Sequence, residues 1–516
     1  SSGIRWTSPL LRRASPIYVG MGCGGSVTPD KMVTPDQAAE IAMRLQKQAE
    51  QILELERAQM QLVKQVSVLQ RTVHSNNGCL RVGPTGGSNG IAIADGPAMV
   101  ALADKEPQEK HEKGSLTVVP ALQNYLWGKP WDASYIARLC ETSSDIKLNH
   151  GLNYAEMWMG THPSGPSLVR LEGLDSVGHS RAGLKETIAR RPQFWLGNDH
   201  QRGDLPFMLK VLSMSQATPI QVHPDKARAQ LLHHAHPEQY KDGNHKYELC
   251  LPLGEYEGLI GFRPQEEVSK FIADVRELNL LIGDNLDCDL KTLFGLVMRS
   301  NEDAVRRSLA MLVRRLDRSK PEELIPEERL IIRLQKDFAG DVGIFSVYFL
   351  NYVHVKDGMR RRFVFCPPNE PHCHISGDCV ACTTLCDNAV PACFTKQAKD
   401  MEQFLELLSY RAEGLEGFVG AGEAMSKRVV KYGVPIDDFI VFEVEGGNTG
   451  TGSPDPPMDL PRASLCMCPR GCFSASLSAN GPVEEIRMGQ CFFLRAGSSI
   501  TVLRSEPGSR LFIATY

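Results

Sequence analysis

Apolar residues repeat with a four-three spacing over residues 34–75, the pattern of a long amphipathic helix. Thr34 can cap its start, Pro35 suits the first helical position, and Gln37 completes a capping box. The repeat places Leu45, Ile52, Gln59, Val66 and Val73 at position a, and Leu55, Leu62 and Leu69 at position d. Branched residues at a with leucine at d favour a parallel two-stranded coiled coil. We therefore expect a homodimer through residues 36–75; the alternative is a single helix packed on its own domain.

The segments on either side of this helix are expected to be a disordered N-terminus, 1–33, and a glycine-rich linker, 76–115. Met21 opens a Met-Gly-x-x-x-Ser sequence of the kind that is myristoylated. If translation starts at Met21, Gly22 can be acylated and Cys23 palmitoylated, and two lipid chains give stable anchoring. As numbered, Gly22 is internal and cannot be acylated, so membrane association depends on that start.

From Leu116 onward, short apolar strands separated by Gly and Pro turns predict a mainly β core. Helical spacing interrupts them twice, at Val268, Phe271, Ile272, Val275 and Leu278, and at Val305, Leu309, Leu312 and Leu316. Strand-like alternation resumes over Gly343–Val355. The expected organisation is a first part of the core, 116–263, a helical insertion, 264–340, a second part with its connection, 341–430, and a C-terminal β domain, 431–516.

Composition and charge narrow the class of protein. The chain has 57 Lys and Arg against 61 Asp and Glu, a net charge of −4, which does not favour a nucleic-acid partner. The apolar stretch Gly343–Val355 is broken by Asn351 and His354, and no uninterrupted apolar run of about 18 residues exists. With 42% hydrophobic and 23% charged residues, we expect a cytoplasmic globular protein, or one lipid-anchored to the cytosolic membrane face.

Fifteen cysteines, an odd number, are typical of reduced thiols in a cytosolic protein rather than of a disulfide framework. Two groups are closely spaced: Cys379, Cys382 and Cys386, and Cys466, Cys468 and Cys472. Neither group is followed by a second Cys-x-x-Cys pair at zinc-finger distance. A structural zinc site in either group is therefore the minority interpretation.

Three short segments carry candidate metal ligands. Gln221 and His223 are two residues apart, and in an extended strand they point to the same face. His245 and Glu248 lie three residues apart, and His372 and His374 again share one strand face. Neutral imidazoles with carboxylate or amide oxygens suit a borderline-soft divalent ion such as zinc. Spacing alone leaves open the alternative of histidines that are solvated or hydrogen-bonded in a core.

The order of these segments resembles type I mannose-6-phosphate isomerase, a zinc-dependent cupin family. The resemblance covers residues 122–516 and rests on YLWGK at 125–129, YAEMWMGTHP at 154–163, LPFMLKVLS at 205–213, QVHPDK at 221–226, DGNHKYE at 242–248 and GDVG at 340–343. It implies cupin (jelly-roll) β-barrel domains and the interconversion of mannose 6-phosphate and fructose 6-phosphate, for GDP-mannose synthesis. The implied partner is a sugar-phosphate substrate.

The resemblance also implies roles for individual residues. Matched to the family's ligand positions, Gln221, His223, Glu248 and His372 would hold one Zn²⁺ per chain. Lys210 and Lys246 match polar positions that the family keeps around its pocket, so we expect catalytic roles for both. The cation would orient the sugar's oxygens and stabilise the charge of the enediolate.

The sequence departs from the family where it should contact substrate. Pro391 stands at the position of the family's catalytic Arg and Ala381 at that of a pocket Glu. Gln397 replaces an expected Lys, Pro219 a Ser, and His374 the usual Tyr. Loss of one preorganised donor typically costs about 10²- to 10³-fold in rate. Lys396, or the run of Arg360, Arg361 and Arg362, could supply replacement charge.

Two interpretations follow. In the first, the chain is an active zinc-dependent isomerase. In the second, it is a catalytically weakened or inactive zinc-binding homologue that acts as a scaffold or as a sugar-phosphate-binding protein.

Overall fold

The computed structural model describes residues 114–142, 146–171, 180–396, 399–447, 456–478 and 481–516. They fall within the compact unit formed by residues 106–516. The predicted coiled-coil helix, the Met21 lipidation motif, the linker up to residue 113 and Gln397 lie outside the described residues. No helix in the described part of the chain is long and apolar enough to cross a membrane.

The described residues are mainly β-strand with helices, which confirms the expected class at that level. The strands are β1 Ser115–Val119, β2 Ala121–Gln123, β3 Lys129–Pro130, β4 Asn153–Tyr154, β5 Glu156–Met159, β6 Leu168–Leu171, β7 Ser180–Gly183, β8 Phe207–Met214, β9 Ile220–Val222, β10 Glu248–Phe262, β11 Leu350–Val355, β12 Arg362–Cys366, β13 His372–Thr384, β14 Val390–Cys393, β15 Val419–Ala421, β16 Glu423–Ala424, β17 Val429–Tyr432, β18 Ile440–Glu445, β19 Met458–Leu460, β20 Ser464–Arg470, β21 Cys472–Ser476, β22 Val483–Arg487, β23 Cys491–Leu494, β24 Ser498–Ser505 and β25 Arg510–Thr515.

These strands form two large antiparallel sheets and two small ones. One large sheet has the order β15-β12-β10-β13-β8-β5-β2, with β11 also paired to β10 and β9 paired to β13 and β14. The other has the order β16-β17-β18-β25-β20-β23-β1-β6-β7. Because Leu116 on β1 pairs with Phe493 on β23, this sheet crosses the domain boundary that we expected at residue 431. The C-terminal strands thus have a paired edge supplied by residues 115–183.

The helices lie between the strands and concentrate in residues 265–337. They are α1 Tyr135–Glu141, α2 Leu184–Arg190, α3 Pro192–Leu196, α4 Lys226–Ala235, α5 Gln265–Asp274, α6 Arg276–Ile282, α7 Leu290–Met298, α8 Glu302–Leu316, α9 Pro326–Asp337 and α10 Met401–Leu407. Helix α8 shows why the sequence folds this way. The Asn301 side chain caps it by accepting from the Asp303 amide at 2.9 Å, and Val305, Leu309, Leu312 and Leu316 form its buried face.

The alternation from Gly343 does not begin as a strand. Residues Val342–Tyr348 form a 3₁₀ helix, and the strand β11 starts only at Leu350. The Asp341 side chain accepts a hydrogen bond from the Gly343 amide at 2.9 Å and caps this turn. The segment is buried on all sides, so its apolar run carries no strand periodicity of its own.

Gly261 connects the β10 bulge to the strand that carries His372. Its amide donates to the Pro371 carbonyl at 2.9 Å, and the neighbouring Ile260 pairs with His372. Gly261 has φ +56°, and a Cβ built there would run into the ring of Phe418. The close approach and the left-handed backbone together require glycine at this position.

We predict that Gly261→Ala destabilises the fold by about 2–5 kcal/mol, the sum of left-handed backbone strain and overpacking. Gly203→Ala is the matched control, since Gly203 has φ +69° but open space around it. That variant should lose only the backbone part, about 1–2 kcal/mol. Chemical denaturation measures both, and equal losses would contradict the role given to Phe418.

Candidate metal centre and cleft

Three adjacent strands bring the predicted metal ligands together. Strand β13 pairs with β10 on one side, with Ile260 opposite His372, and with β9 on the other, with Gln221 opposite His372. His223 follows directly after β9, and Glu248 begins β10. Glu248 pairs with Thr383, at the opposite end of β13 from His372, so strand pairing alone does not place these two residues side by side. The ligand atoms of His223, Glu248 and His372 nevertheless all lie within 4.8 Å of one another.

His223, Glu248 and His372 form a compact group of possible ligand atoms. The Nε2 atoms of the two histidines are 3.2 Å apart, and His223 Nε2 is 3.7 Å from Glu248 Oε2. All three residues are buried, with at most 4% of their surface exposed. Gln221 is half-buried and lines the neighbouring cleft directly across from His372.

The ring orientation of both histidines is fixed by backbone carbonyls. His223 Nδ1 donates to the Asn388 carbonyl at 2.9 Å, and His372 Nδ1 donates to the Glu370 carbonyl at 3.0 Å. A carbonyl only accepts, so each Nδ1 carries the proton and each Nε2 presents a lone pair. Two lone pairs 3.2 Å apart beside a carboxylate repel one another, and a cation between them removes that repulsion. Such carbonyl support is the usual outer contact of metal-bound histidines.

The electrostatics of the group favour neutral imidazoles. Burial lowers the pKa of His372 to about 4, and burial together with Lys246 lowers that of His223 well below its usual range. Burial alone would raise the pKa of Glu248, but Lys246 and the neighbouring imidazoles hold it well below its ordinary value. Two neutral imidazoles, an ionised carboxylate and a nearby amide fit zinc.

The two predicted catalytic lysines are both buried and both line the cleft. Lys246 Nζ lies 3.7 Å from Glu248 Oε2. Burial alone would lower the pKa of Lys246, but the charges of Glu248, Asp387 and Glu156 raise it, so this side chain stays an ammonium. Lys210 Nζ lies 3.6 Å from Glu156 Oε2 and 4.0 Å from the centre of the Trp158 ring.

The cleft beside the metal group has a volume of about 1710 Å³. Its lining includes three positions at which this chain departs from the family, and one residue considered as a source of replacement charge. These are Pro219, His374 and Pro391, and Lys396. The buried Ala381 is not among its lining residues and pairs directly with Lys210 across the strands. The arginine run does not supply the replacement charge that we considered: Arg360, Arg361 and Arg362 are not among the lining residues, and Arg361 binds Glu445 at 2.7 Å.

His374 is a buried part of the site. Its Nε2 lies 3.0 Å from Glu248 Oε1, and its Nδ1 lies 2.6 Å from the hydroxyl of Tyr256. Although burial alone would lower its pKa, the nearby Cys250 and Glu248 raise it to about 10. The predicted histidine pair on β13 is therefore split, with His372 facing His223 and His374 facing the other oxygen of Glu248.

Sequence reasoning missed three polar or aromatic residues of the cleft, Glu156, Trp158 and Asp387. Trp158 Nε1 donates to Glu156 Oε2 at 2.5 Å, and that carboxylate also faces Lys210. Glu156 and Trp158 are two residues apart within YAEMWMGTHP, so their shared strand face could have identified them. His245, by contrast, lies 3.4 Å from Asp438 and takes no part in the metal group.

The closely spaced cysteines do not form metal-ligand groups among the described residues. Cys379 and Cys382 are three residues apart on β13 and therefore point to opposite faces of the sheet. All the cysteines in the described ranges are free thiols.

Comparisons with known proteins find relatives of one kind. Residues 116–265 match the phosphomannose isomerase type I catalytic domain, and residues 264–350 match the helical insertion domain of the same family. The chain is 32% identical to mannose-6-phosphate isomerase 1 of Arabidopsis thaliana over 413 residues, which is 76% of this chain and 92% of that protein. It is 32% identical to human mannose-6-phosphate isomerase over 413 residues, covering 75% and 95% of the two chains.

Solved structures show the same fold. A zinc-bound mannose 6-phosphate isomerase superposes with a TM-score of 0.66 at 22% identity, covering 78% of this chain and 99% of that one. A variant of phosphomannose isomerase from Salmonella typhimurium superposes with a TM-score of 0.66 at 23% identity, again covering 78% and 99%.

The lowered pKa of His372 predicts how the metal-free protein responds to acid. Between pH 6.5 and about 4 the unfolded chain takes up a proton on this imidazole that the folded chain does not, so stability falls as the pH falls. We expect His372→Gln, which has no such proton uptake, to reduce this slope by up to about 1.4 kcal/mol per pH unit. Denaturant titrations of the chelated protein measure it, with exposed His234→Gln as control. An unchanged slope in His372→Gln would contradict the expectation.

Proposed function

This chain belongs to the type I phosphomannose isomerase family, and we propose that it is a zinc-dependent isomerase that interconverts mannose 6-phosphate and fructose 6-phosphate. The observation that carries the proposal is the pair of carbonyl-oriented imidazoles, His223 and His372, converging with Glu248 beside a cleft large enough to admit a sugar phosphate. Relatives that cover most of this chain carry the name mannose-6-phosphate isomerase. The alternative, an inactive scaffold, would be supported by a measurement that finds no activity.

We assign the zinc ligands to Gln221, His223, Glu248 and His372. When bound there, the ion polarises sugar oxygens and stabilises the negative charge of an enediolate. The outer carbonyls of Asn388 and Glu370 keep the two imidazoles in the ligating tautomer. Gln221 lines the cleft, so it would contribute its amide oxygen from the cleft side of the group.

Lys246 and Lys210 act on the substrate as cations. Lys246 is kept protonated by the carboxylates around it, so it donates a hydrogen bond or a proton to a sugar oxygen and does not remove a proton from carbon. Lys210 is held between Glu156 and Trp158, which fixes the direction of its ammonium group.

The base that moves the proton between C1 and C2 must be a different group. We assign this role to Asp387, which lines the cleft, is half-buried and is close enough to raise the pKa of both Lys246 and Tyr125. None of the described residues donates a hydrogen bond to its carboxylate oxygens, so these oxygens are open to substrate. A carboxylate paired with an adjacent ammonium supplies the base and acid that an enediol mechanism needs.

The substrate phosphate has few free cations to bind. Of the cleft residues, Arg299 is bound to Glu402 at 2.6 Å and Lys399 to Asp341 at 3.1 Å. Lys241 and Lys396 are both exposed at the cleft and form no ion pair with a described residue. We assign Lys396 to the phosphate, because it follows β14 and lies five residues after Pro391, the position of the family's Arg.

Several finer assignments belong to the same proposal. The two large antiparallel sheets support cupin-type barrels, and the sequence supports a coiled-coil dimer through residues 36–75. We further propose a cytoplasmic enzyme that supplies mannose 6-phosphate for GDP-mannose synthesis. Membrane association applies only if translation starts at Met21.

A coupled assay for fructose 6-phosphate, together with metal analysis, tests the proposal. We expect turnover and zinc in the parent chain, loss of both in Glu248→Gln, and retained zinc with turnover reduced about 10²- to 10³-fold in Lys246→Met and Asp387→Asn. Lys226→Met is the control, because Lys226 is exposed and lies outside the lining of the cleft. A zinc-loaded parent chain with no turnover would establish the scaffold interpretation instead.

We predict that Pro391→Arg lowers KM for mannose 6-phosphate by about tenfold to a hundredfold, since a charge-assisted hydrogen bond contributes about 1.5–3 kcal/mol. Pro391 is half-buried and lines the cleft, so the new side chain has access to substrate. Pro391→Gln, of similar length but uncharged, should show no such gain. Steady-state kinetics at two salt concentrations separate the charge effect, and an equal gain in both variants would refute it.

A further inference from the structure

A second group of ligand atoms lies on the other side of Glu248. His374 Nε2 is 3.0 Å from Glu248 Oε1, Cys250 Sγ is 3.4 Å from the same oxygen, and Cys250 Sγ is 4.0 Å from His374 Nε2. All three residues are buried. The isomerase assignment uses neither Cys250 nor His374 as a ligand.

The three distances have the dimensions of one face of a metal tetrahedron. Zinc bonds of about 2.0–2.3 Å to oxygen, nitrogen and sulfur in tetrahedral geometry separate neighbouring ligand atoms by about 3.3–3.8 Å. The observed separations of 3.0, 3.4 and 4.0 Å lie around that range. The first group, with separations of 3.2 and 3.7 Å, has the same dimensions.

Tyr256 supplies the orientation that a ligating His374 needs. Its hydroxyl is 2.6 Å from His374 Nδ1 and can accept the proton of that nitrogen, so Nε2 is the nitrogen that loses its proton when a metal binds and then turns its lone pair to Glu248 and Cys250. Tyr256 is itself buried, so the ring is held from behind. This arrangement parallels the carbonyl support of His223 and His372.

The two groups share one carboxylate through different oxygens. Glu248 Oε2 faces His223, whereas Oε1 faces His374 and Cys250. We propose that the chain has a second, thiolate-containing metal position formed by Cys250, His374 and Glu248, with Glu248 bridging it to the first. An ion of the zinc class suits the mixed sulfur, nitrogen and oxygen donors.

Binding at the second position has a simple proton balance. The Cys250 thiol and the protonated His374 imidazole each lose a proton to solvent when Sγ and Nε2 become ligands, so two protons leave for each ion that enters. Glu248 and His374 both line the cleft, which gives the ion a path from solvent. The positive charge of this ion would lie beside the cleft, where Pro391, at the position of the family's Arg, supplies no charge.

Cobalt titration of the full chain tests the proposal after removal of metal with a chelator. We expect two equivalents of Co²⁺ to bind, with a thiolate-to-cobalt charge-transfer band that grows with one of them. Cys250→Ser should lose the band and one equivalent, and His374→Gln should also bind one equivalent. Cys382→Ser is the matched control, because Cys382 is an equally buried thiol whose strand position pairs with Leu249, next to Cys250.

The results of the cobalt titration can be distinguished from those of the isomerase assay. One equivalent of Co²⁺ without a thiolate band in the parent chain would overturn the second position, even if the protein turns over mannose 6-phosphate. A band that survives in Cys250→Ser would also overturn it. If either variant fails to fold, the cobalt stoichiometry and spectrum of the parent chain, together with those of the remaining variant, show whether the second metal position exists.

Discussion

The charge of one buried side chain, Glu248, sets the conditions for the whole site. Removing a carboxylate from water costs several kcal/mol unless opposite charge or hydrogen bonds replace the lost solvation. Lys246 Nζ at 3.7 Å supplies one positive charge, and the imidazole of His374 contacts the other oxygen at 3.0 Å. The sheet can keep Glu248 buried only while these partners stay in place. The positions of Lys246, His374 and a bound cation are therefore coupled through this one carboxylate.

Metal binding and substrate binding can nevertheless change separately, because they depend on different residues. The described residues that line the cleft include seven Lys or Arg and seven Asp or Glu, so the side chains give no excess positive charge for a phosphate dianion. A divalent ion at the His223 group changes that balance, and an arginine at position 391 would change it further. The replacement at Pro391 removes charge from the cleft and leaves the proposed buried metal ligands intact.

Local patterns in the sequence predicted the parts of the structure that depend on local periodicity. The buried face of α8 follows from residue spacing. Spacing could not show that His372 faces His223 whereas His374 faces Glu248, because those contacts join segments that are far apart in the sequence. It also could not predict the 3₁₀ turn at Val342–Tyr348, since a segment buried on all sides has no polar face. Nor could it place β1 in the C-terminal sheet, which requires a contact across more than 370 residues.

The location of the replaced residues bears on how the enzyme distributes its binding energy. Contacts to a remote phosphate accelerate a reaction only when part of their energy is used to orient the reacting carbons. Pro391 pairs with Gln221, and Gln221 pairs with His372, so the missing arginine lies one strand away from the metal ligands. A phosphate held less firmly at that strand leaves C1 and C2 freer to move relative to Lys246 and Asp387. We therefore expect the loss at position 391 to affect the chemical step through orientation, even with the proposed acid, base and metal ligands in place.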